Sequence, residues 1–191
     1  MEEIITSLQN WEAVRTNPDI LTQLFMNKLG FELDMNLFPQ TVPLHAYAGI
    51  KNGELGFYVI SEANDVNSAP EVLSANCYWC PCVHMLGGGQ EIPEEEAETR
   101  VNYWKETYQD WIHEVVNTPF GMYKTFHIPT TDLQPQNYAA LFALKDDIIT
   151  PDVKAADLVL TNNVGVFYDT IRRQPPYPPA SGNNYYLLNL I

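Results

Sequence analysis

Basic residues are scarce. The 191-residue chain holds 10 Lys and Arg against 24 Asp and Glu, a formal net charge of −14. The cations are scattered from Arg15 to Arg173, and Arg172-Arg173 is their one adjacent pair. Phosphate backbones and anionic lipid surfaces are recognised by clustered cations, so neither nucleic acid nor a membrane surface is an expected partner. Long apolar runs are missing as well. The longest is Tyr138-Ala-Ala-Leu-Phe-Ala-Leu144, whereas a bilayer span needs about 20 residues. The start, Met1-Glu-Glu-Ile-Ile-Thr-Ser-Leu8, has no basic segment and no apolar segment of the secretory kind, so the expected address is cytoplasmic. Cysteine is limited to positions 77, 80 and 82, an odd and crowded set unlike a secreted disulfide framework. Catalytic signatures are lacking too: no G-x-S-x-G, no H-E-x-x-H and no G-x-G-x-x-G.

What is present describes a folded chain. The hydrophobic fraction is 46%, enough to exclude wholesale disorder. Ile4, Ile5, Leu8, Trp11 and Val14 follow a helical period. Asn17-Pro18-Asp19 reads as a cap with proline at the first helical position, opening a second helix that Gly30 would stop. Residues 1–40 are therefore expected to be helical. Asn52-Gly53 between alternating segments predicts a two-residue hairpin that pairs Lys51 with Glu54 and Ala46 with Val59. Ala46, Ala48, Ile50, Leu55, Phe57 and Val59 then form its core face, and His45, Tyr47, Tyr58 and Ile60 lie on the other. Residues 63–76 read as a loop with room for one turn of helix. A strand over 76–86, a long helix over 93–117 and strands near 123–128, 138–145, 157–161, 164–172 and 185–190 complete the chain. The prolines at 175, 176, 178 and 179 read as an extended strap along a sheet edge. The expected fold is one α+β domain over 1–191. It has a mainly antiparallel twisted sheet of five to eight strands over 41–191, with the long helix and the N-terminal helices on one face.

Four groups of residues could carry chemistry. Cys77, Cys80, Cys82 and His84 offer zinc-type ligands within eight residues, but if 80–84 is extended, Cys80 and His84 lie about 14 Å apart, too far for one ion without a tight knuckle. Gly87-Gly88-Gly89 precedes a helix start crowded by Glu91, Glu94, Glu95, Glu96 and Glu98, which would repel a phosphate. Glu106, Asp110, His113 and Glu114 lie off the apolar stripe of the long helix, as a solvated face does. Arg172 and Arg173 could hold an anion, or pair with the chain's own acids. His127, near a strand end, reads as structural. The hairpin's second face is the remaining surface. His45, Tyr47 and Tyr58 there have apolar bodies and polar tips, and Gly49 faces Gly56 across a depression, so a partner or a flat ligand would fit. The expected function is a non-enzymatic soluble binding or assembly domain with no cofactor, meeting a protein partner or a second copy of itself. The alternative is a metal- or thiol-dependent protein using Cys77, Cys80, Cys82 and His84.

Overall fold

In the computed structural model, the structure describes residues 1–83, 95–131, 133–146, 153–162, 167–168, 172–174 and 185–191. Two helices open the chain, α1 (Glu2–Val14) and α2 (Pro18–Phe25), followed by β1 (Gly30–Asp34). The hairpin β2 (Leu44–Lys51) and β3 (Glu54–Ser61) comes next, then the short α3 (Pro70–Ala75) and β4 (Cys77–Val83). The long helix α4 (Glu95–Val116) precedes β5 (Thr125–Ile128), β6 (Asn137–Lys145) and β7 (Ala155–Thr161). Two short strands, β8 (Phe167–Tyr168) and β9 (Arg172–Gln174), and a 3-10 helix at Tyr186–Leu190 end it.

The sheet is antiparallel at every pairing, in the order β8-β7-β6-β1-β4-β3-β2-β5-β9. The α+β expectation is met, with seven strands of four residues or more and two short ones at the edges. Those edges explain its shape. Tyr168 pairs with Leu160 of β7, and Arg172 pairs with His127 of β5, at the opposite edge. Four Cα steps reach at most about 14 Å, so the two edges must curl towards each other. Of the expected strand over 164–172, Phe167–Tyr168 and Arg172 belong to two strands on two edges, and the other residues lie outside the described set.

The hairpin forms in the expected register, from Leu44 opposite Ser61 to Lys51 opposite Glu54. Asn52 and Gly53 both take positive φ, 52° and 81°, as a type I′ turn requires. All six expected core residues of the hairpin are buried on the concave face. There they meet Phe31, Phe126 and Phe142 from other strands, Trp11 of α1, Phe25 of α2 and Trp104 of α4. The convex face is covered as well. Ile4 and Leu8 of α1, Leu73 of α3, and Tyr185 and Leu187 pack on Tyr47, Tyr58 and Ile60. Helix α1 therefore serves both faces, because its Trp11 belongs to the concave cluster and donates its indole N–H to Tyr123 O at 2.9 Å.

Three local expectations need correction. Residues 1–40 are not wholly helical: α2 ends at Phe25, and Gly30 opens a strand between β4 and β6. Gly30 has φ 155°, and a Cβ there would collide with the carbonyl oxygen of Ala140. Glycine serves close strand approach here, not a helix stop. The expected strand at 185–190 is a 3-10 helix: Leu188 N–H turns back to Tyr185 O at 3.1 Å, and Leu187 N–H is taken by the distant Asp65 side chain, not by a strand. The loop over 63–76 contains a six-residue helix rather than a single turn. Pro93, Gly87–Gly89 and the proline run at 175–179 lie outside the described residues.

Candidate functional site

The hairpin's second face leads to the site. His45 and Tyr47 are two residues apart on β2, so both side chains leave the sheet on its convex side. Antiparallel pairing of β2 with β5 sets His45 directly opposite His127. Past the end of β3 the chain turns sharply. Glu62 N–H donates to Pro43 O at 2.8 Å, while Asn64 N–H and Asp65 N–H return to Ser61 O at 2.9 and 3.0 Å. That turn folds Asp65 back over β2 and leaves Glu62 beside His127.

Asp65 is the hub. It is 1% exposed, and His45 and Tyr47 are 0% exposed. Its Oδ2 lies 2.6 Å from Nδ1 of His45 and also accepts the Tyr47 hydroxyl. Its Oδ1 accepts Leu187 N–H at 3.3 Å. Burial, and then the neighbouring Asp65 carboxylate, hold the Tyr47 phenol well above its ordinary pKa, so it stays protonated and donates. The carboxylate selects the tautomer of the neutral imidazole: Nδ1 of His45 then carries the proton and Nε2 the lone pair. Tyr185 covers the ring, centroid to centroid 4.3 Å. Nε2 of His45 is buried and has no hydrogen-bond partner among the described residues.

A second imidazole and a second carboxylate lie near the His45 ring. The His45 and His127 rings are 5.8 Å apart at their centroids. Nε2 of His127 is 3.8 Å from Oε2 of Glu62. One ligand atom from each of His45, Glu62 and His127 falls within 4.8 Å of the others. Glu62 and Asp65 also line a cleft of about 340 Å³ between residues 41–43 and 62–66. No Lys or Arg is among the cleft's described lining residues.

The expected contact surface of the hairpin does not exist as a surface. Tyr47 is 0% exposed and Tyr58 is 2% exposed within a single chain. Their polar tips have partners within the chain. Tyr47 donates to Asp65, and the Tyr58 hydroxyl donates to Glu3 Oε1 at 3.2 Å and lies 3.4 Å from Ser7 Oγ. The depression between the glycines is filled, since a Cβ on Gly56 would lie 2.5 Å from the Trp79 ring. Of the three residues, His45 belongs to the candidate site, Tyr47 supports it through Asp65, and Tyr58 lies apart.

The remaining candidates separate. Cys77 packs on the convex cluster, whereas Cys80 and Cys82 are in the concave core. Burial pushes the Cys80 thiol up to about 12 and raises those of Cys77 and Cys82 further. His84 lies outside the described residues. Arg172 and Arg173 pair through their backbones with His127 and Phe126, and their side chains are outside the described set. Glu106, Asp110, His113 and Glu114 are exposed on α4.

Asp65 and Glu62 carried no signal in the sequence, because their role depends on a turn that returns them to β2. His127 became legible only through the pairing of β5 with β2. No family model, no curated protein and no solved structure matches the chain, so its function is read from its own geometry. No helix among the described residues is long and apolar enough to cross a membrane.

Proposed function

We propose that this chain is a non-catalytic binding domain for a small cationic ligand, received beside His45, Glu62 and His127. The observation that carries this reading is Nε2 of His45, buried with no hydrogen-bond partner among the described residues, where the neutral ring has its lone pair. A buried acceptor left unpaired costs about 1–3 kcal/mol, and that cost is relieved by a ligand that brings a proton donor or a positive charge. The surroundings favour the same sign. Glu62 and Asp65 line the adjoining cleft, no basic side chain among the described residues lines it, and the whole chain carries −14. A negative field concentrates cations and repels phosphate-bearing partners, nucleic acid among them. Three free cysteines, two of them buried and Cys77 half-buried, support a reducing, cytoplasmic setting for this binding.

The test is direct observation of the imidazole. Long-range proton–nitrogen NMR of the histidine-labelled full chain follows Nε2 of His45 during titration with methylammonium, guanidinium and divalent metal chlorides, with phosphate as the anion control. A saturable shift with at least one cation and none with phosphate is expected. A resonance that no cation moves, or that phosphate moves instead, overturns the proposal.

A further inference from the structure

Resting on the reading of the site as a cation receptor, we propose that the cation is a divalent transition-metal ion. Its ligands are Nε2 of His45, Nε2 of His127 and the carboxylate of Glu62, and Asp65 acts as the outer carboxylate that orients His45. Strand register supplies the convergence. His45 and His127 are direct cross-strand partners, and neighbouring side chains on one face of such a pair stand close enough to share an ion. Glu62, one residue past β3, comes from the strand on the other side of β2.

The His45 ring is already arranged as a ligand. Metal-bound histidine usually donates its second ring N–H to a carboxylate or carbonyl, which fixes the tautomer and raises the basicity of the ligating nitrogen. Asp65 occupies that position at 2.6 Å from Nδ1. The ring is fully buried and clamped by Tyr185, so it is the rigid ligand. Glu62 and His127 are the adjustable ones, with side chains 26% and 17% exposed.

The distances fit a site that contracts on loading. At 3.8 Å, Nε2 of His127 and Oε2 of Glu62 are too far apart for a hydrogen bond. Bonds of about 2.1 Å around a tetrahedral ion put neighbouring ligand atoms roughly 3.4 Å apart. The three ligand atoms fall within 4.8 Å of one another, so closure requires movement of about 1 Å by the two rim side chains.

The donor set also selects the ion. Two imidazoles and one carboxylate suit zinc, iron(II), cobalt(II) or nickel(II), whereas calcium and magnesium prefer oxygen ligands. Three protein ligands leave a further coordination position for water or a small donor molecule.

The experiment uses the full chain, purified without a histidine tag and stripped with a chelator. Cobalt(II) is titrated in and its ligand-field absorption recorded, and zinc is then added as competitor. One equivalent of cobalt is expected to bind and to be displaced by zinc. His127→Asn and Glu62→Gln alter partly exposed residues. Each should keep the native circular dichroism and lose at least tenfold in affinity. Absence of cobalt and zinc binding by the folded chain overturns the assignment, as does unchanged affinity in both variants. Failure here is distinguishable from failure of the broader reading. If organic cations still move the His45 resonance while metals do not bind, only the metal assignment falls; if neither acts, both fall.

Discussion

Replacing Asp65 with alanine is expected to cost the fold about 3–5 kcal/mol. The figure follows from what the carboxylate holds. It accepts the ring N–H of His45 at 2.6 Å, the Tyr47 hydroxyl and the Leu187 amide at 3.3 Å. None of these donors reaches bulk water easily, since His45, Tyr47 and Leu187 are all 0% exposed. Each stranded donor costs about 1–3 kcal/mol, with the long Leu187 contact at the low end. Removing a buried carboxylate also removes its desolvation penalty, which offsets part of the sum. The net loss is a large share of the roughly 5–15 kcal/mol by which a domain is stable, so the variant should be folded but marginal. Urea unfolding followed by tryptophan fluorescence measures it. Asp65→Asn keeps one acceptor oxygen and should lose about half as much. If the amide nitrogen faces His45, the ring must turn its lone pair to Nδ1 and carry its proton on Nε2, a change visible in the nitrogen NMR shift. A loss below about 1 kcal/mol for Asp65→Ala would refute the view of this cluster as an interior anchor.

Burial holds the Cys80 thiol at about 12 and raises Cys77 and Cys82 in the same direction. The unfolded chain releases those protons near pH 8.5, so stability is full below that pH and falls as pH rises towards the folded values, by up to about 1.4 kcal/mol per pH unit per thiol. Urea midpoints at pH 8, 9 and 10 should therefore decline, and a flat profile contradicts thiol burial. Gly56→Ala would put a Cβ 2.5 Å from the Trp79 ring and 2.8 Å from Cys80 O, and should cost about 1–3 kcal/mol. Gly49→Ala meets only ordinary contacts at 3.5 Å and should cost far less; equal losses in the two variants would show the packing to be wrong. Gly53→Val forces a β-branched residue to φ 81° and should cost at least about 1–2 kcal/mol in the same assay.

The hairpin was legible because two local signals agree. Asn52-Gly53 sets the turn, alternation sets the faces, and a slip of one residue would move six apolar side chains out of the core. The central strand β1 was not legible. It is five residues long, follows a helix closely, and takes its identity from β4 and β6 on either side. Gly30 looks like a helix stop in one dimension, and only the approach of Ala140 gives its actual reason. The C-terminal segment alternates like a strand, yet no ladder receives it, and Asp65 takes one of its amides. The site failed to appear for a related reason. His45 and His127 pair across strands far apart in sequence, and Asp65 sits in a stretch with no periodicity. Local chemistry names such residues, but tertiary pairing gives them a common address.

The aromatic face of the hairpin was misread on one physical point, and that point leads to the site. Tyrosine tolerates burial of its ring when its hydroxyl finds a partner, and this chain supplies one for each: the buried Asp65 for Tyr47, and the exposed Glu3 with the buried Ser7 for Tyr58. Once those partners exist, α1 and the C-terminal 3-10 helix cover the face without leaving either hydroxyl unpaired. The imidazole between them differs. A neutral ring has one donor and one acceptor, and Asp65, itself an acceptor, satisfies only the donor. Covering the face therefore removes water from Nε2 of His45 and supplies nothing in its place among the described residues. The covering elements that abolish the expected contact surface thus leave Nε2 of His45 buried with no hydrogen-bond partner among the described residues, and His127 and Glu62 are the side chains grouped with it that could share an external partner.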